Sequence, residues 1–138
     1  MTRMIYRIVI ISTLLLLALT ACRAGAAKKL VETSWVVDTL DQAPPVEGSE
    51  LTLVFEEEKL GGSSGCNSYG GSYRAKGGTI SISELFSTEM ACMEPQGIME
   101  QEQRYLSLLG EAQSFEINGD VLVIKTSAGS QVTLHRSE

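Results

Sequence analysis

Few side chains in this 138-residue sequence have the types and spacing that chemistry needs. Three are cysteines: Cys22, Cys66 and Cys92. Met90 and Met93 flank Cys92, and Met99 follows a little downstream. Thiolate and thioether sulfur together select soft ions such as Cu(I), so a copper site is one chemistry this cluster could serve. Methionine also fills irregular gaps in cores, which requires no metal. Zinc would need more ligands than the chain offers: His135 is the sole histidine and no CxxC pair is present, so no metal site is assigned.

Catalysis finds no constellation. A serine nucleophile needs a base, and His135, near the end of the chain, is the only imidazole. Glu100 and Glu102 stand two apart on a segment with helical periodicity, so they point to different faces and do not flank one bond. The glycine-rich run from Lys59 to Gly65 lacks the Gly-Lys-Ser/Thr ending and the following helix of a phosphate-binding loop. No catalytic residue and no cofactor are therefore assigned. Charge narrows the partners. The formal charge is −6, and removing residues 1–21 takes away Arg3 and Arg7 but no acid, leaving −8. Such a surface disfavours nucleic acid and electrostatic attachment to anionic lipid.

The elements that position these residues begin after an export signal. Arg3 and Arg7 form a positive start, Ile8 to Leu19 an apolar run, and Leu19-Thr20-Ala21-Cys22 closes it in the pattern of a bacterial lipobox. A run of about a dozen apolar residues is too short for a membrane span of about 20. Residues 1–21 read as a lipoprotein signal peptide, Cys22 as the lipidated residue, and 22–29 as that cysteine with a short tether. Acyl chains on Cys22 would give stable anchoring. Arg23 in the next position is not Asp, which by the sorting rule of enteric bacteria favours the outer membrane facing the periplasm.

Residues 30–138 read as one domain. Thr33 to Thr39 alternates and places Trp35 in the core, and Asp41 to Gly48 is a loop broken by two prolines. Leu51 to Phe55, Gly71 to Ala75, Thr79 to Ser83, Ser114 to Ile117, Val121 to Lys125 and Val132 to His135 read as strands, with Asn118-Gly119 as a type I′ hairpin turn. Glu56-Glu57-Glu58 reads as a solvated strand end, and the glycines of 59–65 as sites of positive φ or close strand approach. Glu94-Pro95 supplies a helix start. Ile98, Tyr105 and Leu109 then form an apolar stripe with Met99, Leu106 and Leu108 alongside, while Glu100, Gln101, Gln103 and Arg104 face mostly outward. The expected fold is mainly β: a small antiparallel barrel or strongly curled sheet of about eight strands, with one helix over roughly 95–110.

Gly65-Cys66-Asn67, Gly71-Ser72-Tyr73, Thr88, Met90-Ala91-Cys92, Pro95, Met99-Glu100 and Leu106-Ser107-Leu108-Leu109 together resemble the META domain, the HslJ-like family of small envelope and secreted proteins. The resemblance implies a compact β domain with one helix, and an association with heat shock and antibiotic tolerance in the envelope. It places Cys66 and Cys92 in matched motifs, and with an exported, oxidising compartment this implies a disulfide between them. Asn67 and Tyr69 beside Cys66, with Tyr73, are the candidate binding surface, against the commoner role of an asparagine in a glycine-rich loop, which is to bond its own backbone. Function is expected to be non-enzymatic: capture of an envelope protein partner by a lipid-anchored domain. The alternatives are a small-ligand or copper carrier, which would need an open barrel or a converging sulfur cluster, and an inhibitor of a cell-wall hydrolase.

Overall fold

A computed structural model describes residues 30–137. The signal segment, Cys22 and the tether lie outside the described residues. Among the described residues no helix is long and apolar enough to cross a membrane.

The strands are β1 (Thr33–Leu40), β2 (Thr52–Phe55), β3 (Lys59–Ser63), β4 (Ser68–Lys76) and β5 (Thr79–Ser87). The helix α1 (Ile98–Gly110) follows, then β6 (Ala112–Asn118), β7 (Val121–Thr126) and β8 (Gln131–Arg136). Every strand is antiparallel to the next, and β8 returns to pair with β1, so the sheet closes as an eight-stranded barrel in sequence order. Closure removes the free edges that an open sheet of this size would expose.

Period-2 alternation decides the interior. Trp35, Leu53, Phe55, Leu60, Tyr69, Tyr73, Ile82, Phe115, Ile124 and Leu134 are among the residues buried in one cluster. A barrel of eight strands is just wide enough for side chains to fill, and these fill it. Trp35 is fully buried as expected. Its Nε1 donates to Thr33 Oγ1 at 2.7 Å, and the Arg136 guanidinium lies 4.5 Å from its ring.

Lys59–Ser63 is a strand, and its glycines give the close strand approach expected of them: a Cβ at Gly62 would collide with Thr52 O, and one at Gly61 would lie 2.9 Å from Tyr69 O. Two local readings change. Asn118 pairs with Val121, so the hairpin loop is Gly119-Asp120, with positive φ only at Gly119. That is the signature of a type II′ turn; the I′ signature belongs instead to Gly77-Gly78, both at positive φ between Lys76 and Thr79. The helix starts at Ile98, not Pro95. Gly97 at φ 87° is its cap and the Glu94–Pro95 peptide is cis, so proline lies in the turn ahead of the helix.

Topology places α1 at one end of the barrel, beside the β3–β4 turn and the β1–β2 loop. The opposite end carries the Glu56-Glu57-Glu58 turn, both glycine hairpins and the first described residue, Leu30.

Candidate functional site

The inward face of α1 is made by Ile98, Gln101, Glu102, Tyr105, Leu108 and Leu109. Gln101 was expected to face outward; it is buried, and Glu102 beside it is only 6% exposed. A buried carboxylate is costly unless every lone pair finds a donor. Glu102 Oε2 accepts from Ser64 Oγ at 2.6 Å and from Asn67 N at 2.9 Å, and Oε1 accepts from Asn67 Nδ2 at 2.8 Å. Gln101 does the same for the β1–β2 loop, accepting from Val46 N at 2.6 Å and donating to Ser49 Oγ at 2.9 Å. Two adjacent helix residues thus tie down two loops at the barrel end.

Asn67 is the hub of this arrangement. Its Oδ1 accepts from Thr88 Oγ1 at 2.7 Å and Met90 N at 2.8 Å, while Nδ2 donates to Met90 O at 3.1 Å as well as to Glu102. The amide therefore pairs with the Met90 backbone at both its N–H and its carbonyl, as a neighbouring strand would. Beside it, Cys66 and Cys92 are joined in a disulfide with Cα atoms 5.9 Å apart, inside the usual range for such bonds. Gly65, at φ 106°, leaves room for the helix; a Cβ there would meet Gln101 Nε2 and Ile98 Cγ1 at 3.3 Å. The Gly-Cys-Asn turn is a staple joining β4, the segment 88–92 and α1.

The expected binding surface of Asn67, Tyr69 and Tyr73 is not one. Asn67 is 2% exposed, and both tyrosines are 5% exposed. Tyr69 and Tyr73 fall on the inward face of β4 and use their hydroxyls internally. Tyr69 Oη donates to Thr52 O at 2.8 Å and meets Tyr105 Oη at 2.9 Å, with the two rings edge to face. Tyr73 Oη donates to Glu56 O at 3.0 Å. Burial pushes the Tyr69 and Tyr105 phenols well above their ordinary value, and Tyr73 upward as well.

Gly61-Gly62-Ser63-Ser64-Gly65 spells the Gly-x-Ser-x-Gly pattern, but a nucleophile elbow sits between strand and helix, and here the segment links β3 to β4. Its central serine, Ser63, ends β3 and accepts from Gly65 N at 3.2 Å, and the neighbouring Ser64 is fully buried against Glu102. His135 pairs through Nδ1 with Asp38 at 2.6 Å, on a half-exposed stretch of β1 and β8; no serine hydroxyl bonds its ring among the described residues. The disulfide consumes the thiols of Cys66 and Cys92, and Met90 and Met93 are exposed at 56% and 85%.

What the outer surface does hold is a trough. Val54 of β2 is in register with Gly61 of β3, Gly61 with Gly70 of β4, and Gly70 with Phe86 of β5. These four residues form one row across the outside of the barrel. Its walls are the half-exposed Val54 and the 70% exposed Phe86, and its floor is the glycine backbone of Gly61 and Gly70. The Phe86 ring lies over Gly70, where a Cβ would come within 2.7 Å of Cζ; a cross-strand aromatic covering a glycine is a recurring device in sheets. Glu56, Lys59, Ser72 and Glu84 line the trough toward the hairpin end, and its volume is about 570 Å³. Glu84 is held by Ser72 Oγ, which donates to it at 2.7 Å.

Sequence reasoning missed Glu102 and Phe86. Glu102 was detectable as a polar residue inside the stripe Ile98, Tyr105, Leu109. Phe86 was not, because its exposure depends on which strand lies beside it.

The family model described as META domain matches residues 28–138. Among solved structures, a protein from Burkholderia xenovorans determined by NMR is 30% identical, covers 82% of this chain and 87% of its own, and superposes with a TM-score of 0.68. A second NMR structure, 22% identical, covers 80% and 93% with a TM-score of 0.65. A crystal structure of a DUF4847 family protein from Bacteroides vulgatus, 12% identical, covers 78% and 94% at a TM-score of 0.59; these last two show the fold alone. No curated protein matches the chain.

Proposed function

We propose, on the premise that this chain belongs to the META domain family, that it is a lipid-anchored protein of the bacterial cell envelope that binds a protein partner and catalyses no reaction. The observation that carries this reading is the filled barrel. Its interior holds one cluster of buried side chains, and the polar groups of Asn67 and Glu102 at its end bond one another and neighbouring backbone, so the outer face is what remains for recognition. A carrier of small ligands would need an open interior, and a copper carrier free thiolates.

Anchoring through Cys22 would leave the hairpin end of the barrel nearest the membrane, since Leu30 lies there, and present α1 and the disulfide outward. Outer-membrane attachment facing the periplasm and a role in stress or antibiotic tolerance belong to the same reading. A second reading, inhibition of a basic cell-wall hydrolase, is favoured by one observation: residues 30–138 carry six basic side chains against seventeen carboxylates, a formal charge of −11. Like-sign and opposite-sign surfaces select partners strongly.

The test is photo-crosslinking in cells with probes placed on the outer face, together with palmitate labelling of wild type and Cys22→Ala. A discrete protein adduct that survives washing supports the reading. Absence of any adduct from several outer-face positions sinks partner binding, and labelling that persists in Cys22→Ala sinks the anchor. Unchanged lysozyme activity in excess protein would exclude the inhibitor reading for that enzyme.

A further inference from the structure

We infer that the glycine-floored trough between Val54 and Phe86 is the docking site for a cationic segment of the partner, one apolar side chain seating on Gly61 against the Phe86 ring while a lysine or arginine reaches Glu56 and Glu84. The inference rests on the partner-binding reading above and adds where the partner sits and what chemistry it presents.

Outward positions of a closed barrel normally carry side chains that cover the backbone. Here two paired glycines bring no side chain to neighbouring strands: Phe86 covers Gly70, Gly61 is left half-exposed, and the row is bounded by two apolar side chains. Val54 and Phe86 stand three strand spacings apart, about 14 Å. With Phe86 leaning over Gly70, the uncovered floor at Gly61 fits one apolar side chain. Phe86 is the most exposed aromatic among the described residues, and its outer face is free to stack. A phenylalanine 70% exposed gains little burial of its own, whereas protein interfaces are enriched in aromatic residues.

Charge fixes the class of occupant. The trough's ionisable groups are Glu56 and Glu84 against Lys59, and Glu57 and Glu58 continue the acidic side beyond it. Only Arg74, near Glu84 in the adjoining recess, adds a second cation. Set in a domain of formal charge −11, this surface attracts a basic segment and repels an acidic one or an anionic polymer. A cation between the carboxylates would also lie near the Phe86 ring, where cation–π attraction adds a modest increment.

The experiment titrates the amidated peptide Gly-Trp-Lys-Trp-Lys-Gly into isotope-labelled full chain in an uncharged detergent, and reads amide shifts at several salt concentrations. The expected result is shifts confined to Gly61, Gly62, Gly70, Ser72 and Phe86. Phe86→Ala should weaken binding at least about fivefold, and Glu56→Gln with Glu84→Gln should weaken it about fivefold while flattening the salt dependence. Because Phe86 is exposed, its loss leaves the fold intact. Gly70→Ala gives a second check, since its Cβ displaces the ring without removing it and should weaken binding too. Equal binding of the peptide with glutamate in place of lysine overturns the inference, as do shifts centred on Met90 and Met93, or none. In cells, a photo-crosslinker replacing Lys59 should capture the partner and one replacing Glu94 should not. Capture from position 94 alone overturns the trough and leaves partner binding standing; capture from neither overturns both.

Discussion

Replacing Asn67 by alanine and by aspartate gives opposite tests of the staple, because aspartate keeps the shape and alanine does not. Alanine removes four hydrogen bonds. The Thr88 and Met90 groups lie on an exposed segment and recover water, so their loss is modest. Glu102 Oε1 does not, and a charged hydrogen bond lost from a buried acceptor costs about 1.5–3 kcal/mol. The total should be about 3 kcal/mol, a large fraction of the roughly 5–15 kcal/mol that holds a domain together. Aspartate retains the two bonds accepted from Thr88 and Met90 N, but turns the donor facing Glu102 at 2.8 Å into an oxygen. Two carboxylates about 4 Å apart repel by about 4 kcal/mol at an effective dielectric of 20. Added to the lost donor bonds, this makes the near-isosteric variant the worse of the two, by about 2 kcal/mol. Urea unfolding of the oxidised proteins at neutral pH measures both, and amide exchange over residues 88–92 shows whether that segment loosens. An aspartate variant as stable as the alanine variant, or within 1 kcal/mol of wild type, would refute the argument.

Four further outcomes follow from the same geometry. Removing the disulfide with Cys66→Ala and Cys92→Ala should cost about 3.5 kcal/mol for its separation of 26 residues, read from the shift in urea midpoint under non-reducing conditions. The raised phenols of Tyr69 and Tyr105 mean that the folded state keeps protons the unfolded state releases, so their contribution is complete below about pH 10 and is lost as pH rises beyond it. Phenolate absorbance from these two residues should therefore appear together with unfolding, and a gradual rise in the still-folded protein would contradict their burial. Asp41 is held below its ordinary value first by the Gln131 N–H and then by Arg104. Its contribution is present above the usual carboxylate range and disappears as pH falls through the lowered value, so Asp41→Asn should flatten the acid limb of a thermal-stability profile. Finally, Gly62→Ala should cost about 2–4 kcal/mol because its Cβ meets backbone, while Gly70→Ala should cost under about 1 kcal/mol because it meets only the movable tip of Phe86; comparable losses in calorimetry would show the two sites are equivalent.

The sites of error and success separate by the range of the interactions involved. Trp35 and the inward positions of β1, β2 and β8 follow alternation, a property of the local chain, and they are where alternation puts them. Helical spacing likewise places Ile98, Tyr105 and Leu109 inward. Alternation also turns Tyr69 and Tyr73 inward, yet their polar tips and their place beside Cys66 suggest a surface. Only the positions of Thr52 and Tyr105 around Tyr69, and of Glu56 O beside Tyr73, show that those hydroxyls are already satisfied. Pro95 shows the same limit at a boundary: a residue suited to a first helical turn lies instead in the turn before Gly97.

The sequence by itself determined the barrel class, the helix, the family and the pairing partners available to Cys66. Each rests on short-range periodicity, or on residue types at fixed spacing, and both survive without knowledge of what lies across the molecule. Tertiary structure alone decided that the barrel closes, that Glu102 is a buried hub, and that Phe86 with two glycines makes the outer trough. Those depend on strand register: Val54, Gly61, Gly70 and Phe86 become one row only when four strands separated in sequence are aligned by their hydrogen bonds.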